Sequence, residues 1–172
     1  MKTHVIDSEI YKDLYGNERI REIFSDKSLL EKWIEIELAL AKAQAELGVI
    51  PKKAFEEIEK KADPDLFNME EIRKGITETS HPLITFIRQY SEICENGAGE
   101  YVHFGATTQD IMDTGLILQL KDGYQYIRKQ LDHLIDLLIE LTEENRTVPM
   151  AGRTHGQHAL PITLGFKMAQ WL

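Results

Sequence analysis

An all-α fold is predicted by three observations. Apolar residues recur in steps of three and four along most of the chain, the mark of a helix with one buried stripe. The segment from Thr108 to about Asn145 holds no proline, and at about 1.5 Å rise per residue it would form a helix more than about 50 Å long. No segment shows the apolar–polar alternation of a half-buried strand. There is also no internal repeat and no low-complexity linker.

The elements follow in order. Leu29, Trp33, Ile36, Leu40, Ala43 and Leu47 set the first long helix, with Asp26 or Ser28 as its candidate cap and Gly48 at its end. Pro51 suits the first turn of a second helix carrying Phe55 and Ile58, which Asp63-Pro64-Asp65 breaks. A short helix from Glu70 to Lys74 is expected next, then one from about Pro82 to Cys94. On the long segment, Leu120, Tyr124, Ile127, Leu131, Leu134, Leu138 and Leu141 form an apolar seam of heptad type. Ile117, Leu137 and Ile139 are apolar off that seam, and a helix apolar on more than one side needs more than one neighbour. A multi-helix bundle shared between subunits supplies those neighbours; a plain intramolecular coiled-coil hairpin is the alternative. Ile162, Leu164, Gly165, Met168, Ala169, Trp171 and Leu172 read as a helix beginning near Pro161. No capping signal follows them, so the chain is expected to be a piece of a longer protein.

Composition narrows the function classes. A net charge of −9 and a pI near 5.2 argue against a nucleic-acid surface. No apolar run approaches the roughly 20 residues of a membrane span, and the opening Met1 to Asp7 has no secretory apolar core. The single Cys94 excludes an intrachain disulfide and suits a reducing compartment, so a cytoplasmic location is expected. Cys94 lies on an apolar face and is read as a buried structural thiol.

Two loops have the composition of a reaction site. Gly152-Arg153-Thr154-His155-Gly156-Gln157-His158-Ala159-Leu160-Pro161 combines an arginine fork for carboxylates with histidines that exchange protons near neutral pH. Gly97-Ala98-Gly99-Glu100-Tyr101-Val102-His103-Phe104-Gly105-Ala106-Thr107-Thr108-Gln109-Asp110 runs from a glycine-rich turn into the long helix. Thr107 or Thr108 is a candidate cap there, and a helix N-terminus flanked by hydroxyls can bind an anion. The plain alternatives are a helix–helix connection for the first loop and simple capping for the second.

These two blocks, together with Asp113-Thr114 and Thr79-Ser80-His81-Pro82-Leu83, resemble shared blocks of the fumarase/aspartase superfamily of lyases, in matching order and spacing. The resemblance covers nearly the whole chain. It implies a small N-terminal helical domain over residues 1–106, followed by the first part of a central helical bundle over 107–172. Long helices from four subunits would build the core of a homotetramer. The implied reaction eliminates a group β to a carboxylate of a small dicarboxylate substrate, usually releasing fumarate. A base removes a carbon-bound proton, donors stabilise the resulting aci-carboxylate, and an acid protonates the leaving group. No cofactor, metal, nucleic acid or membrane is implied.

Within that family, the adenylosuccinate lyase branch of purine biosynthesis assigns roles by resemblance. His155 matches the general acid and His81 a second catalytic histidine. Thr107 and Thr108 match hydroxyls that bind substrate anions. Thr154 and Gln157 are further candidate polar contacts, and Arg153 either binds substrate or ties its loop together. The family's flexible signature loop (Gly-Ser-Ser-x-Met-Pro-x-Lys-x-Asn), which carries the serine assigned as base, is absent from these residues. The chain alone is therefore expected to be inactive. His158 lies three residues from His155, but no carboxylate follows at ligand spacing and a metal pair is not expected. His103 is read as packed beside the site, His133 as solvated and His4 as part of a frayed terminus.

The branch itself stays open. His155 and His81 favour adenylosuccinate lyase. Gly105-Ala106-Thr107-Thr108-Gln109-Asp110, His158-Ala159-Leu160-Pro161 and Asp7-Ser8-Glu9-Ile10 with Asp13-Leu14-Tyr15-Gly16 are more similar to 3-carboxy-cis,cis-muconate cycloisomerase. Tyr11 and Tyr15 do not follow an arginine, unlike the Arg-Tyr pair that opens adenylosuccinate lyases. A lyase of amino-acid–fumarate adducts is equally compatible, and a non-catalytic helical oligomerisation module remains the alternative outside enzymology.

Overall fold

The computed structural model describes residues 4–172. Helices dominate: α1 (Lys12–Tyr15), α2 (Glu18–Ile23), α3 (Asp26–Glu46), α4 (Lys52–Lys60), α5 (Met69–Thr79), α6 (Ile84–Ile93), α7 (Thr108–Glu144) and α8 (Leu164–Ala169). Between α7 and α8 stands one antiparallel pair, β1 (Pro149–Thr154) and β2 (Gln157–Thr163). The chain divides into two compact units, Met1–Gly123 and Tyr124–Leu172, so the boundary falls inside α7. Among the described residues no helix is long and apolar enough to cross a membrane.

The first unit is organised around α3. Ser25 caps it, its hydroxyl accepting from Ser28 N at 3.2 Å; the cap is thus one residue before the expected Asp26. Gly48, at φ 73°, closes the other end as expected. The buried stripe is Leu30, Trp33, Ile34, Glu37, Ala41 and Ala45. This is rotated from the expected face: Leu47 is 80% exposed, because the stripe follows the core shared with Ile58, Ile72, Phe86 and Ile111 rather than the longest apolar series. Phe86 and Tyr90 of α6 pack with Phe67 and Trp33, at ring separations of 5.3 to 5.9 Å. The Tyr90 hydroxyl donates to Ile58 O at 3.0 Å and ties α6 to α4.

Other bounds also differ. Pro51 precedes α4 as its cap position with ψ 137°, rather than sitting in the first turn. The helix expected over Glu70 to Lys74 is longer, because Asn68 accepts from both Glu70 N and Glu71 N and α5 runs on to Ser80. Helix α6 starts at Ile84, not Pro82. Cys94 is half-buried rather than fully buried; burial, reinforced by nearby Glu57, pushes its thiol up to about 11.

Helix α7 enters the first unit along Ile111, Gly115, Gln119 and Gly123, which are spaced by one turn and buried. The glycines permit close approach: a Cβ on Gly115 would lie 3.1 Å from Trp33 Cδ1, and one on Gly123 3.2 Å from Phe24 Cε2. Gln119 Nε2 donates to Ile23 O at 2.9 Å and so satisfies a carbonyl at the end of α2.

In the second unit, α7 continues to Glu144 and the chain turns back as a hairpin. The sequence carries no convincing strand signal here, so the hairpin corrects that expectation. Its register runs from Pro149↔Thr163 to Thr154↔Gln157, with a slip between Ala151 and Arg153. Pro161, expected to open a helix, lies instead in β2 opposite Ala151. Helix α8 begins three residues later, where the Thr163 hydroxyl accepts from Phe166 N at 3.1 Å. Two backbone bonds seat α8 on the end of α7: Leu164 N to Val148 O at 2.8 Å and Gly165 N to Asn145 O at 2.9 Å.

Candidate active site

Local structure at Thr79 to Ile84 makes a histidine into a helix cap. Ser80 ends α5 in the left-handed region at φ 55°. Thr79 Oγ1 accepts from His81 N at 3.2 Å, and Pro82 cannot donate a backbone proton. The imidazole then folds over the start of α6, where Nδ1 accepts from Ile84 N at 3.1 Å and Leu83 N at 3.4 Å. A nitrogen that accepts backbone N–H groups carries no proton of its own. The His81 proton therefore sits on Nε2, which donates to Thr108 Oγ1 at 3.3 Å.

Thr108 reaches that imidazole because it opens α7. The preceding turn is closed reciprocally: Asp110 N donates to Thr107 O at 3.1 Å, and Thr107 N donates to Asp110 Oδ2 at 3.1 Å. The Asp110 carboxylate thus supplies one half of a capping box, while the other bond of the turn is backbone to backbone. Of the candidate residues, His81, Thr107 and Thr108 thus gather at one place in the first unit. They form an imidazole N–H, two hydroxyls and a helix N-terminus, all suited to an anion.

The remaining candidates lie in the second unit on the hairpin. His155 and Gly156 are its two-residue turn, at φ 50° and φ 76°. Two consecutive left-handed residues are the requirement of a type I′ connection. Thr154 and Gln157 are the pair that closes the turn, and Arg153 faces His158 across the ladder. Arg153, Thr154, His155 and Gln157 are all exposed. His155 stands at the tip of the hairpin. His133 is exposed on α7. Among the described residues no group of three or more His, Cys, Asp or Glu side chains could hold a metal ion.

One feature escaped the sequence. Glu37, only 2% exposed, accepts from His103 N at 3.0 Å and lies 2.6 Å from His103 Nδ1. Burial holds its carboxyl above the ordinary carboxylate range, against the opposing pull of the His103 hydrogen bonds. On the same side of α3, Gln44 Nε2 donates to Phe104 O at 2.6 Å. The available signal was a charged residue standing one turn from both Trp33 and Ala41, in the middle of an apolar stripe.

The chain is similar over nearly its whole length to known lyases. A sequence model of a family described as lyase matches residues 15–172. Adenylosuccinate lyase of Methanocaldococcus jannaschii is 44% identical over 171 residues, which are 99% of this chain and 36% of that protein. N-acetyl-S-(2-succino)cysteine lyase of Enterococcus italicus is 40% identical over 172 residues, covering 100% of this chain and 38% of the relative. The crystal structure of β-carboxy-cis,cis-muconate cycloisomerase from Acinetobacter calcoaceticus sp. ADP1 superposes with a TM-score of 0.88 at 36% identity. That match covers 95% of this chain and 39% of the other. The chain spans little more than a third of the length of the curated relatives it matches. The matched extent, the level of identity and the shared helical architecture lead to one assignment: this chain belongs to the fumarase/aspartase superfamily of lyases.

Proposed function

We propose that these residues are the N-terminal part of a fumarate-releasing lyase that cleaves a C–N bond by β-elimination, with adenylosuccinate as the first substrate to test. The observation that carries the reading is His81: its Nδ1 is occupied by the start of α6, so its Nε2–H faces the Thr108 hydroxyl at the N-terminus of α7. A dicarboxylate bound there meets an oriented donor, two hydroxyls and the positive end of a long helix dipole. In this reading His155 protonates the departing nitrogen, Arg153 and Gln157 contact a substrate carboxylate or hold the turn, and Thr154 supports them. The base comes from residues outside this chain. Relatives named adenylosuccinate lyase at 42–44% identity support the choice of substrate.

A second substrate reading has its own support. Tyr11 and Tyr15 follow no arginine, and a relative 40% identical over 172 residues is named N-acetyl-S-(2-succino)cysteine lyase. An adduct of fumarate with an amino acid would need no nucleotide pocket, and its leaving group would accept the same proton from His155.

The experiment is fumarate release by the full-length protein, supplied in parallel with adenylosuccinate and with the succinyl-cysteine adduct. Release from the nucleotide is the expected result. Release only from the amino-acid adduct moves the assignment to the second reading, and release from neither overturns the elimination chemistry. The 172-residue chain assayed alone is expected to release none.

A further inference from the structure

A carboxylate in an apolar stripe costs free energy unless its oxygens are satisfied. Glu37 meets that requirement with a single residue: His103 supplies both its backbone N–H, at 3.0 Å, and its ring nitrogen, at 2.6 Å. Seven residues on, two turns along the same side of α3, Gln44 Nε2 holds Phe104 O at 2.6 Å. Two side chains of one helix therefore grip two consecutive residues, His103 and Phe104, just before Gly105. That segment is conformationally demanding, with His103 at φ 60° and Gly105 at φ 73°. A non-glycine residue stays in the left-handed region only where its surroundings over-determine it. Thr107 follows Gly105 by two residues, and Thr108 brings its hydroxyl to His81 Nε2.

We propose that Glu37 is a positioning residue of this site: with Gln44 it clamps His103 and Phe104 to α3 and so sets where the Thr108 hydroxyl meets His81. The kinetic consequence rests on the lyase reading above, while the clamp itself does not. Glu37 touches no candidate substrate contact directly and acts through the loop. An ionised carboxylate only accepts, so His103 must carry its proton on Nδ1. Glutamine at position 37 offers one acceptor and one donor. His103 keeps both bonds to it by moving its proton to Nε2, so Glu37→Gln preserves the grip that Glu37→Ala removes.

The test combines hydrogen–deuterium exchange of the segment 102–110 with fumarate-release kinetics, both on the full-length protein. Glu37→Ala and Gln44→Ala are expected to raise exchange across 102–110 by about 10-fold or more, while α5 stays protected. Glu37→Gln is expected to stay close to the native rate. Gln44 is partly exposed, so Gln44→Ala carries the test even where Glu37→Ala fails to fold. In kinetics, Gln44→Ala and Glu37→Ala are expected to lower kcat by about 10-fold through misplacement of the Thr108 hydroxyl. That loss should largely vanish in a Thr108→Ala background, because both changes act on one contact. Native exchange in both alanine variants overturns the clamp. An opened loop with equal losses in both backgrounds overturns the positioning role. If no adduct yields fumarate, the functional reading has failed, and exchange alone still decides the clamp.

Discussion

Each candidate histidine has a backbone duty that can be separated from its chemistry. His155 occupies the first left-handed position of the hairpin turn, at φ 50°, a position that asparagine adopts with little strain. His155→Asn is therefore expected to keep or slightly raise thermal stability while cutting fumarate release by about 10²–10⁴-fold, the usual range for a lost acid catalyst. An undiminished rate would remove His155 from the role of acid. His81 caps α6 through Nδ1, so His81→Ala should cost about 1 kcal/mol of stability from the lost cap. His81→Asp restores an acceptor for Ile84 N without an imidazole; stability by thermal melt should recover, and activity should not. Full recovery of activity would show that His81 serves only as a cap.

At the level of elements, close approach decides which substitutions are tolerated. Helix α8 lies on the end of α7 at Gly165, where a Cβ would stand 2.6 Å from Thr142 O and 2.8 Å from Arg146 Cα. Both obstacles are backbone, so no side-chain rotation relieves them. Gly165→Ala is expected to destabilise this unit by about 1–3 kcal/mol, despite alanine's better helix propensity. A melting temperature equal to the native one would show that α8 shifts freely on α7. The helices were legible because their apolar stripes repeat over several turns. The hairpin was not, because Pro149, Ala151, Gly152 and Pro161 are poor strand formers and the bulge spoils alternation. Only the His155–Gly156 pair hinted at it, as a two-residue turn with a glycine.

At the scale of the whole molecule, the apolar seam of α7 is left largely exposed. Leu120, Tyr124, Ile127, Leu131, Leu134 and Leu141 are 43–62% exposed, whereas Leu138 is buried at 6%. Apolar rows of this kind mark a surface that another helix covers. The homotetramer that the family resemblance implies would cover it with equivalent helices of other subunits. Leu131→Glu combined with Leu134→Glu should then dissociate the assembly in sedimentation while each subunit keeps its helical content. A native sedimentation coefficient for that double variant would show that the seam is not the interface.

The amino-acid sequence by itself determined the helical class, the seam of α7 and the residue types of the candidate site, because these depend on local periodicity and on short motifs. Tertiary structure alone decided which face of α3 is buried, that His155 stands on a hairpin tip, and that Glu37 and Gln44 hold the loop before Thr107. The physical reason is range. A stripe or a motif is encoded within a few turns, whereas the His103–Glu37 contact spans 66 residues. Such a contact exists only once α3 and the start of α7 pack on the same core.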